Sequence, residues 1–319
     1  MEIIPYLRRP DWPVNTALLD ELDAELQRRG YGDLIAVRPL KELTSNERQR
    51  ARVAIADGPT EEQLQTLPSL EWLQSVWAGV EQLLAVAPND VPIARMIDPQ
   101  LGHTMSEAVL AWTLYLHRDM PRYARQQNAR EWIMHQLVPT RARRVGVLGL
   151  GALGAPAAST LAKHGFSVAG WARSTKAIDG VKCYSGNDGF EVLLRQSDIV
   201  VNLLPDTPDT RGLLDTTALA YLPDGAALIN FGRGPTVVDD ALLRALDDQL
   251  EHAVLDVFVT EPLPDDHPYW GHPKVTMLPH ISGPTSPETA AVIVVDHIAR
   301  WVRYGVQPAD VMVDRARGY

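Results

Sequence analysis

The ten residues VGVLGLGALG, Val145 to Gly154, limit what this chain can fold into more than any other stretch. They set Gly149, Gly151 and Gly154 in G-x-G-x-x-G spacing. An apolar run, Arg144 to Leu148, comes immediately before, and a helical pattern, Ala155 to His164, immediately after. The spacing alone is weak, because glycine is common; the strand–turn–helix context gives it weight. Gly149 permits the tight turn. Gly151 lets the backbone approach a pyrophosphate, and Gly154 lets the helix lie close on its strand. With Ala152 and Leu153 these residues would present the pyrophosphate to a helix N-terminus, where free N–H groups and the dipole favour an anion. The stretch predicts a Rossmann-type unit with a dinucleotide at the edge of a parallel sheet.

The rest of the chain supports an α/β architecture. EIIPYL (Glu2 to Leu7), DLIAV, RVAIAD, LEWLQSV and PIARM read as strands, and TALLDELDAELQRRG reads as a helix stopped by Gly30. A break follows, with a buried helix from Ser106 to His117 and a second helical stretch from about Pro121 to Gln136 that carries Trp132, expected to pack in a core. After the glycine turn come FSVAGW, DIVVNLL, GAALINF, HAVLDVF and VTMLP, then a last helix ending at Gly305. Strands alternating with helices argue for parallel sheets covered on both faces. Hinges near Gly102 and Gly283 would divide the 319 residues into two doubly wound parallel-sheet domains. The first comprises 1–102 plus 284–319; the second, inserted, comprises 103–283.

Composition narrows the function classes. A formal net charge of −10 disfavours nucleic acid and anionic membranes as partners. The one basic cluster, TRARR (Thr140 to Arg144), reads as a solvated strand entry. The N-terminal MEIIPYLRRPDWP resembles neither a signal peptide nor a membrane span, and no apolar run is long enough to span a bilayer, so a cytoplasmic protein is expected. The single cysteine, Cys183, excludes an intramolecular disulfide and is expected as a small buried residue.

The stretch WARSTK, Trp171 to Lys176, decides between dinucleotides. An NAD site usually carries an acid about 20 residues past the turn, which accepts from the ribose 2′-OH. Here Arg173 stands nineteen residues after Gly154, and the nearest following acid, Asp179, comes in a predicted loop beyond it. A guanidinium with the hydroxyls of Ser174 and Thr175 suits a 2′-phosphate, which a carboxylate would repel. NADPH/NADP is expected, NAD less so.

Three polar residues follow strands of the second domain, at the edge where open α/β sheets bind ligands. Arg233 lies in INFGRG, Glu261 in VFVTEP and His280 in LPHISG. Together they offer a cation for a substrate carboxylate, a proton donor, and an acid to hold that donor. Asp265, Asp266, His267 and His272 fall in a Pro-rich run read as an exposed loop, and no metal is expected.

SDIVVNLLPDTPDTRGLL, LPDGAALINFGRGPTVVDDALLRAL and LDVFVTEPLP resemble signatures of the D-isomer-specific 2-hydroxyacid dehydrogenases. The tail VDRARGY and the WARS stretch are similar to bacterial glyoxylate/hydroxypyruvate reductases of the A type. The resemblance implies a flavodoxin-like substrate domain beside the Rossmann domain, with Arg233, Glu261 and His280 catalytic. It implies that the loop Trp77, Ala78, Gly79 and Val80 binds substrate together with Arg233 and His280. It also implies that Trp171, Leu204, Pro205, Thr210, Phe231, Gly232, Asp256, Ser282 and Gly283 border the cofactor, Asp256 being equally suited to a turn. The implied activity is NADPH-dependent reduction of a small 2-keto acid such as glyoxylate or hydroxypyruvate. Two alternatives stay open: an NAD-dependent dehydrogenase of a larger acid, and a corepressor-like dinucleotide sensor on the same fold. A homodimer built on residues 103–136 is expected from the resemblance and from the apolar residues of SEAVLAWTLYLHRDM.

Overall fold

The computed structural model describes residues 1–10 and 15–318; Asp11 to Val14, which include the end of the N-terminal run, and Tyr319, closing the tail, lie outside the description. The chain divides into two compact units, residues 1–100 with 285–319, and residues 101–284.

The first unit is a five-stranded parallel sheet: β1 (Glu2–Arg8), β2 (Ile35–Pro39), β3 (Val53–Asp57), β4 (Trp72–Ser75) and β5 (Ile93–Ala94). Its spatial order is β2-β1-β3-β4-β5, the flavodoxin-like order. All five residues of β3 are buried, as a central strand covered on both faces requires. On one face the helices Thr16–Arg28 and Pro287–Tyr304 share a core cluster in which Trp72 and Trp301 meet edge to face at 6.4 Å. Local chemistry fixes the C-terminal helix: Ser286 caps its start, Pro287 opens it, and Gly305 ends it in the left-handed region at φ 66°. The opposite face is covered by a second cluster around Leu7, Leu64, Leu73 and Val80.

The second unit is a seven-stranded parallel sheet. In chain order its strands are β6 (Arg144–Leu148), β7 (Ser167–Trp171), β8 (Val181–Tyr184), β9 (Ile199–Asn202), β10 (Ala227–Asn230), β11 (His252–Leu255) and β12 (Val275–Met277). The spatial order, β12-β11-β10-β9-β6-β7-β8, reverses direction at β6. The glycine turn at the end of β6 therefore sits at the topological switch point, where the crevice of such sheets opens.

Four expectations change. The helix expected over Ser106 to His117 runs from Pro99 to His117, so Gly102 lies inside a helix. The helix before the turn, Met120–Ala129, stops seven residues short of Gln136, because Arg130 adopts the left-handed region at φ 58° and ends it. Trp132 consequently lies outside any helix and any core: its side chain is 96 % exposed, with Met134 88 % and Leu137 63 % exposed. Cys183 is half-buried rather than buried, because it lies on β8, an edge strand with no neighbour on one side. That strand escaped the sequence reading; it is four residues long and carries an exposed Lys182. Among the described residues, no helix is long and apolar enough to cross a membrane.

Candidate active site

The glycine turn has the geometry its spacing predicts. Gly149 is held at φ 93°, and its N–H donates to the Trp171 carbonyl at 2.8 Å. A Cβ on Gly154 would fall 1.7 Å from the Gly149 carbonyl oxygen, so the close approach of helix and strand admits only glycine. Gly151 differs: a Cβ there would meet nothing within 4 Å, and no protein contact demands a glycine. An open cradle of this kind, at a helix start (Gly154–Lys163) whose N-cap Leu153 supplies no capping side chain, fits a phosphate group. Ser282 adds a second opening: its hydroxyl is buried with no hydrogen-bond partner among the described residues.

After β7 the chain bends through Arg173, Ser174 and Thr175, all exposed; the Thr175 and Ser185 hydroxyls stand 3.5 Å apart. Asp179 lies in an exposed turn. Trp171 gives its indole N–H to the Gly186 carbonyl at 2.8 Å and packs edge-on to Phe190, which aligns β7 with the next helix. Leu204 and Phe231 are buried core residues, so only their backbones are available to a ligand. The Thr210 hydroxyl is engaged within its own loop, donating to the Pro205 carbonyl at 2.6 Å.

Glu261 and His280 come together. His280 Nδ1 stands 2.8 Å from Glu261 Oε2, while Glu261 Oε1 accepts from the Phe258 amide at 2.9 Å. The carboxylate thus makes Nδ1 the protonated nitrogen and leaves Nε2 outward. His280 itself is at φ 54°, a conformation disfavoured for a residue with a Cβ. Asp256 holds it there: the His280 N–H donates to the Asp256 carbonyl, and the carboxylate accepts from Ile281 and Ser282 amides at 2.8 and 2.9 Å. This buried aspartate therefore shapes the turn that presents the histidine. The hydrogen bond to Glu261 raises the His280 pKa above its ordinary value, against burial and the Arg233 charge. Burial pushes the Glu261 carboxyl up, but hydrogen bonds from His280 and Phe258 and the charges of His280 and Arg233 outweigh it and hold the group low.

Arg233 follows β10 between two glycines that the packing requires. A Cβ on Gly232 would lie 2.6 Å from the Leu204 carbonyl oxygen, and one on Gly234 would lie 2.0 Å from the Phe258 carbonyl carbon. Beneath Arg233 sit three buried polar side chains that the motif reading passed over, Asn202, Asn230 and Thr236. The signal was present: an asparagine closing a run of buried apolar residues, as in IVVN and ALIN, has to find partners.

In the first unit, Trp77 is partly buried and packs against the core cluster that includes Ile4 and Trp72, and Val80 is buried in the other core cluster. His267 and His272 face single acids, Asp239 and Asp247. Among the described residues no group of three or more His, Cys, Asp or Glu could hold a metal ion.

A glycine cradle at a switch point, with a His–carboxylate pair and an arginine on the loops beyond it, defines a dinucleotide-dependent dehydrogenase. The family model described as "D-isomer specific 2-hydroxyacid dehydrogenase, NAD binding domain" matches residues 110–282. A glyoxylate/hydroxypyruvate reductase A of Serratia proteamaculans is 38 % identical over 84 % of this chain and 88 % of that protein. A D-isomer specific 2-hydroxyacid dehydrogenase from Xanthobacter autotrophicus Py2, solved with NADPH and MES, superposes with a TM-score of 0.89 at 36 % identity, covering 99 % of each chain. An NADPH-dependent glyoxylate/hydroxypyruvate reductase from Sinorhizobium meliloti, solved with NADP and sulfate, gives 0.86 at 31 % identity, again over 99 % of both. This chain belongs to the D-isomer-specific 2-hydroxyacid dehydrogenase family.

Proposed function

We propose that this protein reduces a small 2-keto acid, glyoxylate, hydroxypyruvate or one of similar size, to the 2-hydroxy acid with NADPH. The observation that carries the reading is the Glu261–His280 hydrogen bond at 2.8 Å on the same sheet edge as the glycine cradle. The names of the relatives and the NADPH and NADP of the solved neighbours support the same substrates and cofactor. The Arg173–Thr175 stretch speaks for NADPH over the NAD-dependent alternative.

Gly149, Gly151 and Gly154 would hold the pyrophosphate, Arg173 with Ser174 and Thr175 the 2′-phosphate, and the buried Ser282 hydroxyl a polar group of the same cofactor. When bound, the nicotinamide supplies the hydride. The protein's part is orientation and charge. Arg233 pairs with the substrate carboxylate and keto oxygen. As the oxygen gains negative charge, His280 donates its Nε2 proton to it as general acid. Glu261 fixes the imidazole and favours its protonated form. Asp256 keeps His280 at its unusual backbone angle, and we read that turn role ahead of contact with the nicotinamide amide. The Gly79 and Val80 amides are assigned to the substrate carboxylate from the family resemblance alone. A panel of 2-keto acids with NADPH and NADH, followed by loss of reduced-cofactor absorbance, tests the reading; absence of turnover on every acid would favour the dinucleotide-sensing alternative.

The Glu261–His280 pair sets a pH dependence. Reduction needs protonated His280, so its rate falls as pH rises through the raised His280 pKa. Glu261→Gln removes the charge that raises it, and the alkaline limb of kcat/KM moves to lower pH. A limb that stays in place would show that another group titrates. The same shifts bear modestly on stability, since both groups are partly exposed. The raised His280 contributes below its ordinary value and loses that contribution as pH rises through the folded one. The lowered Glu261 contributes above its ordinary value and loses it as pH falls through the folded one.

We also propose that the protein works as a homodimer in the cytoplasm. The exposed Trp132, Ile133, Met134 and Leu137 form an apolar segment of the kind that a second copy covers. Sedimentation should give twice the mass of one chain at micromolar concentration, and Trp132→Glu with Met134→Glu should shift it toward the monomer. A wild-type monomer at that concentration would end the proposal.

A further inference from the structure

We infer that Asn202, Asn230 and Thr236 are positioning residues that aim Arg233 at the substrate carboxylate. The inference rests on the keto-acid reductase reading above and extends it below the residues that touch substrate. All three side chains are essentially without solvent exposure, and they lie at the ends of β9 and β10 and in the loop after Arg233.

Their hydrogen bonds run in one direction. The Asn202 side-chain amide donates to Asn230 Oδ1 at 2.9 Å and to Thr236 Oγ1 at 2.7 Å. Thr236 Oγ1 then donates to the Arg233 carbonyl at 2.6 Å, and Asn230 Nδ2 donates to the same carbonyl at 3.3 Å. Asn230 Oδ1 also accepts from the Gly232 amide, and Asn202 Oδ1 from the Leu204 amide. With the Thr236 amide, at 3.3 Å, three donors converge on the Arg233 carbonyl, and the peptide on either side of Arg233 is held.

The network reaches the proton donor through backbone. Gly234 packs against Phe258 so closely that a side chain is excluded, and the Phe258 amide holds Glu261 Oε1. Glu261 in turn holds His280. The backbone that carries Arg233 is thus held from below by amide and hydroxyl groups, none of which needs to touch the ligand, and the guanidinium rests on it by donating to the Gly232 carbonyl at 2.8 Å. A buried polar network that is fully satisfied specifies one arrangement, and loss of one member leaves others unpaired. An asparagine at position 202 cannot be replaced by aspartate without reversal, because both Nδ2 bonds need a donor.

The test is a pair of substitutions at one position. Thr236→Val keeps the shape and removes the hydroxyl, whereas Thr236→Ser keeps the hydroxyl. Thr236→Val should raise KM for the keto acid about five- to tenfold, since the Arg233 carbonyl loses its shortest hydrogen bond and an Asn202 N–H is left unpaired. KM for NADPH and the pH of the alkaline limb should hold, because the cofactor cradle and the Glu261–His280 pair are intact. Thr236→Ser should restore keto-acid KM to near the wild-type value. A change in melting temperature without a change in keto-acid KM would overturn the inference, as would equal losses in both variants. If Thr236→Val does not fold, Asn230→Asp serves, since it keeps the acceptor for Asn202 and Gly232 but turns an acceptor instead of a donor toward the Arg233 carbonyl; its keto-acid KM should rise by about threefold or more, and an unchanged KM would overturn the inference. Wild-type turnover in the same assay separates the two levels: without it the functional reading itself falls, and with it only the positioning role is at stake.

Discussion

His280→Ala is expected to lower kcat for keto-acid reduction by about 10²–10⁴-fold, the usual worth of general acid catalysis, with little change in KM. The reason lies in where the proton is needed. The keto oxygen is neutral in the ground state and gains charge only as the carbonyl is reduced, so a donor aimed at it stabilises the transition state and hardly the bound substrate. Glu261 occupies Nδ1 of His280, which leaves Nε2 as the nitrogen that can reach a ligand. Arg233→Ala should behave differently, raising KM as well, because it leaves a substrate carboxylate unpaired. Steady-state kinetics of both variants with saturating NADPH separates the roles. A His280→Ala enzyme with near-normal kcat would mean that the proton comes from elsewhere. Asp256→Asn would then repay study, since it keeps the size of the side chain that holds the histidine's turn but replaces one of its two acceptors with a donor, so that one of the two amide hydrogen bonds is lost.

What the sequence revealed and what it hid follow from local chemistry. The glycine turn was legible because Gly149 needs a positive φ and Gly154 tolerates no Cβ, so the residue type reports the geometry directly. The ends of the helices at Gly30 and Gly305 were legible for the same reason. The segment after Ala129 was not: REWIMHQL has apolar residues at helical spacing, yet Arg130 leaves the helix and the apolar groups face outward. Periodicity reports a face to be covered, and it says nothing about whether the cover is the same chain. Glu261 and His280 could be named as candidates, but their contact could not, because they lie nineteen positions apart with a strand between them. The asparagines beneath Arg233 were hidden by their apolar neighbours. A run such as IVVNLL looks like plain core, and only the structure supplies the partners that make a buried amide tolerable.

Arg173→Ala should reduce kcat/KM for NADPH by about ten- to a hundredfold and leave that for NADH nearly unchanged. A 2′-phosphate offers Arg173 a charge-assisted contact that NADH lacks, and such contacts contribute roughly 1.5–3 kcal/mol. Each 1.4 kcal/mol is about tenfold in affinity. Arg173 is exposed, so salt should screen the contact and bring the loss toward the lower end at high ionic strength. Arg173→Asp should go further, since a carboxylate repels the phosphate and can accept from a ribose 2′-OH. Ser174 and Thr175 stand in the same exposed bend and would share the phosphate, so neither should matter as much alone. Asp179, the nearest acid that follows in the chain, lies in a separate exposed turn after Ile178. The decisive comparison is kcat/KM for both cofactors in wild type and Arg173→Ala at two salt concentrations. A loss that falls equally on NADPH and NADH would mean that Arg173 shapes the bend without reading the phosphate, and the cofactor preference would have to arise elsewhere in the unit.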